Sequence, residues 1–246
     1  MDGVIDIEKA RELAGNATLW PRMRDFLWDF APQVHESWLD GSVVRWLGSE
    51  EADRSSNHPT TQPHSHLTTQ QPSWRIKKFI LDSLGVEPCF HDFPKDDGSR
   101  IALLDGATLL EIAKWLGALA CAEELRKITD GKTVRALKAA LPGVYPDVFG
   151  YTAYFRGLEK LGGLVIGWLD DADGVRKLDG DFVIAAGYAL LENALAHLSA
   201  PVLQRFRLKL PRHLTTQPPN HPTVSPPNLQ LLLKLRFPEA YALCSS

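Results

Sequence analysis

The chain has 246 residues, of which 44% are hydrophobic and 23% charged, and its formal net charge is −3. This length and composition are typical of a globular protein with one large domain or two small ones. A charge so close to neutral provides no basic field for nucleic acid or an anionic membrane, which disfavours both kinds of partner.

The first fifth of the chain predicts short helices that are rich in tryptophan. Helices are expected over residues 8–14 and 19–29, and a third over 35–47 has apolar residues at the three- and four-residue spacing of one buried face. Four tryptophans lie in this region: Trp20, Trp28, Trp38 and Trp46. Most of them should pack in a core, but tryptophan is also enriched at binding hot spots, so we expect one or two to face a partner.

Two segments of unusual composition interrupt the helical pattern. Residues 55–73 and 211–228 are crowded with Pro, Thr, Gln and His and share the words NHPT and HLTTQ. Too few apolar side chains are present to offset the entropy of ordering, and proline removes backbone donors, so we predict disordered insertions. His58, His64 and His66 in the first segment lack a scaffold to orient them, so we expect no physiological metal site there.

The middle of the chain predicts the central helix. A helix over 74–84 ends at Gly85, and Thr108 with Glu111 forms a capping box that starts a longer helix. Apolar residues keep helical spacing for about five turns from there to Ile128, and the apolar stripe is wide. We therefore expect this helix to lie at the centre of the core.

The helices that follow are predicted from local start and stop signals. Asp130 caps a helix over 132–140, which Pro142 and Gly143 terminate. Further helices are expected over these ranges: 151–168 with a glycine break, 181–198 as an amphipathic helix, 202–210 after Ser199 and Pro201, and 229–242 with an interruption at Pro238. No range shows convincing two-residue alternation, so few or no strands are expected.

The predicted fold is all-α, a single irregular multi-helix domain with two disordered insertions. Its parts are an N-terminal helical region at 1–54, an insertion at 55–73, a helical core at 74–210, an insertion at 211–228, and a C-terminal helix at 229–246 that packs on the core.

The motifs of common catalytic chemistry are missing from the sequence. It contains no phosphate loop, GxSxG, HExxH or dinucleotide fingerprint, and the acidic residues at 170–173 lack a preceding ligand for a calcium loop. Cys89, Cys121 and Cys244 are odd in number and widely spaced, which indicates reduced, mostly buried thiols. We therefore expect a non-enzyme with no catalytic residue, cofactor or metal.

Neither a leader peptide nor a membrane anchor is predicted. Acidic residues precede any apolar run at the N-terminus, which is unlike a secretory signal. The most apolar short stretch, 161–169, is far shorter than the ~20 residues that a bilayer-spanning helix needs.

Four segments, in order, resemble the K component of type III secretion systems, the family typified by YscK. They are FAPQVHESWL at 30–39, LLDGATLLEIAKWLGALACAEELRKI at 103–128, LSAPVLQRFRLKLP at 198–211, and the Leu-Leu-x-Lys-Leu pattern within 231–246. Their joint order carries the resemblance. The two HLTTQ-containing segments depart from the family pattern.

The resemblance implies a cytoplasmic adaptor at the cytoplasmic face of the inner membrane. Such proteins join the cytoplasmic domain of the inner-membrane ring protein to the pods of the cytoplasmic-ring protein in the sorting platform. This role needs adhesive surfaces on a rigid body, with no nucleic acid and no membrane insertion. We expect Phe30, Trp38, Leu39 and Trp46 to contribute one docking face.

Two alternatives remain open at the level of the sequence. One is an unrelated helical binding module or secretion chaperone, which would bind one partner. The other is a helical enzyme with an unrecognised site, in which His35, His91 or His197 would lie beside a carboxylate in a deep pocket.

Overall fold

The computed structural model describes residues 19–39, 74–87, 91, 93, 98–155, 178–214 and 226–245. Within these ranges every regular element is a helix and none is a strand, which confirms the all-α prediction. The α-helices are α1 (Leu19–Leu27), α2 (Trp74–Ser83), α3 (Gly106–Ala120), α4 (Ala122–Lys127), α5 (Gly131–Ala140), α6 (Val148–Tyr151), α7 (Gly180–Ala194), α8 (Ala200–Leu208), α9 (Pro226–Arg236) and α10 (Pro238–Ser245). Short 3₁₀ turns lie at Ala31–Gln33, Glu36–Trp38, Ser99–Leu103, Thr152–Tyr154 and Arg212–Leu214.

The centre of the molecule is the pair α3 and α7. The two backbones approach closely because a glycine on each helix faces the other: a Cβ on Gly117 would lie 1.8 Å from the carbonyl oxygen of Val183, and one on Gly187 would lie 1.8 Å from that of Ala113. Such an approach is open only to residues without a side chain. The sequence pattern predicted that α3 lies at the centre of the core, but it did not predict that α7 shares this position.

The start and end of α3 differ from the predicted capping box and five-turn helix. The N-cap is Asp105, whose carboxylate accepts from the Thr108 amide at 2.8 Å, so Thr108 lies inside the first turn. Glu111 instead forms an ion pair with Lys114 at 2.5 Å. The helix is interrupted at Cys121, after which α4 continues to Lys127.

Helix α7 is shorter and more buried than predicted. It begins after the N-cap Asp179 and ends at Ala194, and almost every residue from Phe182 to Leu191 is buried. The expected amphipathic helix is therefore an internal one, and it packs closely against α3.

The helix predicted over 35–47 is also different where the structure describes it. Residues Glu36–Trp38 form a single 3₁₀ turn, and the Nδ1 of His35 accepts from the Ser37 amide at 3.1 Å. Residues 40–50 lie outside the described residues, as do the helices predicted at 8–14 and most of 151–168.

The remaining predicted helices are present. Asp130 caps α5 by accepting from the Thr133 amide at 2.8 Å, and Gly143, with a φ of +70°, adopts the left-handed conformation after that helix ends. Pro238 separates α9 from α10. These start and stop signals act on residues within one helical turn, so packing against the rest of the molecule does not change them.

The second unusual segment is helical at both edges. Arg212–Leu214 forms a 3₁₀ turn, and α9 already begins at Pro226. Residues 215–225 and the whole of 55–73 lie outside the described residues, so the disorder predicted for them stays a prediction.

One hydrophobic core joins the elements from both ends of the chain. It includes Phe26 and Phe30 from the N-terminal region and Leu233 and Leu243 from the last two helices. A small second cluster forms where Ile80 of α2 meets the 3₁₀ turn at Ala31–Gln33.

Candidate docking surface

The N-terminal segment and the segment after α8 are joined by directed hydrogen bonds. The His35 amide donates to the Leu208 carbonyl at 2.8 Å, and the indole N–H of Trp38 donates to the Leu210 carbonyl at 2.7 Å. The guanidinium of Arg212 lies 5.5 Å from the centroid of the Trp38 ring. Trp38, predicted to face a partner, therefore holds two distant parts of its own chain together, with part of its ring exposed.

The other predicted docking residues occupy different environments. Phe30 is 1% exposed, and its ring lies edge-on to that of Phe26, with centroids 5.7 Å apart. Leu39 is partly exposed and packs against the small cluster that contains Ile80. Trp46 lies outside the described residues. In this conformation Phe30 presents no surface to a partner, whereas Leu39 does.

Three buried cations surround the same region, and nothing in the local sequence pattern marks them as buried. They are Arg100, Arg205 and Lys209. Arg100 Nε donates to the Phe93 carbonyl at 2.9 Å, and Arg205 Nη1 donates to the Glu87 carbonyl at 2.6 Å. Both use backbone oxygens, which lets a buried charge be hydrogen-bonded without a buried carboxylate.

Lys209 joins the end of α8 to the residues that precede α3. Its Nζ donates to the carbonyls of Ala102 at 2.8 Å and Leu104 at 2.9 Å and lies 4.7 Å from the centroid of the Phe26 ring. Burial lowers the pKa of the Lys209 ammonium to about 7, although the charge of the Asp105 carboxylate acts in the opposite direction. Removal from water disfavours the charged form, and this effect is larger than the attraction.

Several large apolar side chains remain exposed and are candidates for docking. They are Trp28 (55% exposed), Phe79 (54%), Tyr154 (65%) and Leu235 (44%). Trp28 is one of the four N-terminal tryptophans but not one of the predicted docking residues, and no role was predicted for the side chains of Phe79, Tyr154 and Leu235. The exposure of Trp28 could have been predicted from helical spacing. Leu19, Met23 and Phe26 lie on the buried side of α1, and at this spacing Trp28 lies on the opposite side.

The exposed side chains lie on several elements, and those of Trp28 and Phe79 lie on neighbouring ones, since Asp29 forms an ion pair with Lys77 at 2.8 Å. Trp28 lies beside Trp20, with ring centroids 5.9 Å apart, at the end of α1. Tyr154 lies near Tyr151, with centroids 6.3 Å apart, and the Tyr151 hydroxyl accepts from the guanidinium of Arg236 at 3.2 Å, next to Leu235. Contiguous apolar patches, more than single exposed side chains, mark protein–protein contacts, and the two tryptophan rings are the largest adjacent pair among these groups.

Two of the three cysteines lie among the described residues. Cys121 and Cys244 are buried, as predicted, and burial raises the pKa of the Cys121 thiol to about 12. A thiol of this kind holds almost no thiolate near neutral pH and is a poor nucleophile. Cys89 lies outside the described residues.

Among the described residues, no group of three or more His, Cys, Asp or Glu side chains is arranged to hold a metal ion. None of the helices in the same part of the chain has the length and apolar character to cross a membrane.

Comparison with known proteins gives one match. The family model described as YOP proteins translocation protein K (YscK) matches residues 54–244, well over half of the chain. The matched range includes both unusual segments and begins after the resembling phrase at 30–39. Searches of curated proteins and of solved structures found no significant match. The chain therefore belongs to the YscK family of type III secretion components.

Proposed function

We propose that this protein is a non-catalytic cytoplasmic adaptor of a type III secretion system. It links the cytoplasmic domain of the inner-membrane ring protein to the pods of the cytoplasmic-ring protein, at the cytoplasmic face of the inner membrane. Membership of the YscK family carries this proposal. The finer assignment of partners follows from the role expected of such K components.

The distribution of exposed apolar side chains supports an adaptor. A linker between two proteins needs more than one adhesive surface, and the exposed groups lie on separate elements: Trp28 after α1, Phe79 on α2, and Tyr154 and Leu235 in the region of Arg236. Each such group is a candidate anchor, because aromatic side chains dominate binding energy at interfaces.

The packing of the core supports a rigid body. The close approach of α3 and α7 at Gly117 and Gly187, with the bonds of Lys209 and Trp38 across the fold, leaves little freedom between the elements that carry the surfaces. A rigid linker transmits position from one partner to the other and loses less conformational entropy on binding.

Co-purification with each partner tests the proposal directly. The full chain is co-expressed with the cytoplasmic domain of the ring protein and, separately, with the pod protein of the same genome, and complexes are analysed by size exclusion. We expect a stable complex with both. Binding to one partner alone would favour a binding module or a secretion chaperone, and binding to neither, by a folded chain, would contradict the adaptor role.

Substitutions at the predicted docking face test which residues carry it. Replacing Trp38 and Leu39 together with Ala should abolish binding of one partner while leaving the helical content intact. Trp38 also bonds the Leu210 carbonyl, so the single change Leu39→Ser is the cleaner probe because it leaves that bond in place. Leu110→Ser, at a partly exposed leucine of α3 outside the predicted face, is the matched control. Equal loss of binding in the control would contradict a specific role for Leu39.

A further inference from the structure

The residues that follow α8 bind the N-terminal segment at every second position. The carbonyl oxygen of Leu208 accepts from the His35 amide at 2.8 Å, and that of Leu210 accepts from the Trp38 indole N–H at 2.7 Å. Leu208 and Leu210 are themselves 4% and 1% exposed, so both carbonyls belong to a part of the chain that the core holds in place. We call residues 208–212 the seat of Trp38.

Arg212 completes the seat with two contacts. Its backbone amide donates to Ser37 Oγ at 2.9 Å, and its guanidinium lies over the Trp38 ring, 5.5 Å from the ring centroid. A cation at this distance is attracted by the negative face of the aromatic ring. The Leu210 carbonyl therefore restrains the N–H edge of the ring, and the Arg212 guanidinium restrains its face.

The part of Trp38 that remains exposed is apolar. The one polar group of a tryptophan side chain is its indole N–H, and here that group donates to the Leu210 carbonyl. Leu39, the next residue, is also partly exposed and has no polar side-chain atom. A partner at this face therefore meets carbon atoms. It gains most from a ring that is already held in place, because ordering a mobile side chain costs binding free energy.

We propose that Arg212 is a positioning residue that orients Trp38 for an apolar contact with a partner. The proposal rests on the proposed function, since it concerns the docking face at Trp38 and Leu39. Arg212 lies inside the range 54–244 that the family model matches, whereas Trp38 precedes that range, so the matched part of the chain supplies the seat for a residue outside it. In this role Arg212 acts through the ring, without a contact of its own to the partner.

Exchange of the Trp38 indole N–H with solvent tests the orientation without any partner. The chain has seven tryptophans, and comparison with Trp38→Phe identifies the indole signal of Trp38 in a ¹⁵N–¹H spectrum. Arg212→Ala removes the guanidinium but keeps the amide that donates to Ser37. We expect the indole N–H of Trp38 to exchange about two- to fivefold faster in this variant, in line with the loss of one exposed cation–π contact. Arg135→Ala, at an exposed arginine of α5, should leave the rate unchanged.

A double-mutant cycle tests whether Arg212 acts on binding through Trp38. Affinity for the ring protein and for the pod protein is measured with the wild type, both single variants and the double variant, and thermal unfolding checks that each is folded. Trp38→Ala should weaken binding of one partner about tenfold or more. Arg212→Ala should weaken binding of the same partner about two- to fivefold. It should have no further effect in the Trp38→Ala background, because the ring that it orients is then missing.

The salt dependence of binding separates positioning from a direct charge contact. The loss of affinity caused by Arg212→Ala should be the same at low and at high salt, because salt does not screen a contact between apolar groups. A loss that shrinks at high salt would assign Arg212 to an acidic group of the partner and overturn its role as a positioning residue.

The other outcomes are equally decisive. An indole exchange rate that Arg212→Ala leaves unchanged would show that Arg212 does not restrain the ring. Equal losses of affinity from Arg212→Ala with and without Trp38, or a complex that Trp38→Ala does not weaken, would contradict action through the ring. A folded wild type that binds neither protein would contradict the adaptor role and the docking step with it, whereas the exchange rate still decides whether Arg212 orients Trp38.

Discussion

Lys209 shows how one buried side chain joins three parts of the sequence. Its amine donates to the carbonyls of Ala102 and Leu104 and lies over the ring of Phe26, so it contacts the N-terminal helix and the turn before α3 from the end of α8. A Cβ on Gly106 would lie 2.7 Å from the carbonyl oxygen of Lys209, so the backbones also meet here. A lysine that is completely buried is rare unless its donors are satisfied, as they are at this site.

The lowered pKa of Lys209 makes stability depend on pH. The pKa is about 7 in the folded protein and 10.5 in the unfolded chain, so the unfolded chain binds more protons between these values and stability rises with pH through that window. The full difference corresponds to a gain of up to about 5 kcal/mol. The charged groups that act on the amine are those of Asp105, which raises its pKa, and Arg22, which lowers it.

Lys209→Met isolates this contribution. Methionine is also unbranched and only one atom shorter than lysine, and it does not titrate. The free energy of unfolding of the wild type should therefore rise relative to that of the variant between about pH 7 and pH 10. Urea denaturation at several pH values measures the difference, and the titrations of Cys121 and Tyr188 cancel because both chains contain them. A difference that does not change with pH would show that Lys209 keeps its ordinary pKa.

At the scale of the elements, the decisive feature is the glycine contact between α3 and α7. Gly117 and Gly187 bring each backbone against the other helix, at distances where a methyl group cannot fit without movement. Glycine lowers the intrinsic stability of a helix by about 1 kcal/mol, so the two helices depend on the burial that their close approach provides.

Gly117→Ala should destabilise the protein strongly. The new methyl group would meet the Val183 carbonyl of α7, and overpacking of this kind costs about 3 kcal/mol or more when backbone must shift. Gly150→Ala is the matched control, because nothing lies within 4 Å of its added methyl group and alanine favours helix. Thermal unfolding should show a large fall in Tm for the first variant and little change or a small rise for the second. Equal Tm values for the Gly117→Ala and Gly150→Ala variants would contradict this prediction, because they would show that α3 and α7 can move apart without loss of stability.

The start of α3 shows that local sequence can offer two possible N-caps for one helix. Asp105 and Thr108 are both good N-caps, three residues apart, and the sequence favoured Thr108 because Glu111 completes a capping box. In the structure Asp105 accepts from both the amide and the hydroxyl of Thr108, which places the helix start one residue after Asp105. These hydrogen bonds lower the pKa of Asp105 despite its partial burial, so the cap keeps its charge at neutral pH.

On the scale of the whole molecule, the core has an inner and an outer part. Helices α3 and α7 are buried along most of their length, whereas α1 and α2 bury one side and expose Trp28 and Phe79 on the other. The exposed apolar side chains of Trp28 and Phe79 therefore lie on or beside helices outside the central pair, although α1 also contributes Phe26 to the main core. Local opening is easiest where few apolar contacts must break.

Hydrogen exchange should reproduce this division. Amides of α3 and α7 should exchange most slowly, near the rate set by global unfolding, because they are surrounded by other helices. Amides of α2 and of the 3₁₀ turn at Glu36–Trp38 should exchange by local opening at least tenfold faster. Mass spectrometry after timed exchange measures both, and uniform protection across these elements would contradict an inner and an outer part.

Local signals in the sequence determined the secondary structure and the class of the fold. Apolar residues at helical spacing predicted α1 and α2. Start and stop signals predicted α5 and α8, and Asp130 and Gly143 marked the limits of α5 correctly. These features depend on residues within one turn of each other, so a single segment contains the information. The ordered phrases likewise sufficed to indicate the family, which the match to residues 54–244 confirms.

The tertiary structure alone decided which residues are available to a partner. Phe30 and Trp38 looked alike in the sequence, yet one is buried and the other bonds the Leu210 carbonyl 172 positions away, while Trp28 is exposed. The burial of Lys209 depends on the carbonyls of Ala102 and Leu104, more than a hundred residues distant. Contacts between residues so far apart in the sequence do not change the spacing of apolar residues within either segment. The sequence of one segment therefore carries no information about which distant segment packs against it.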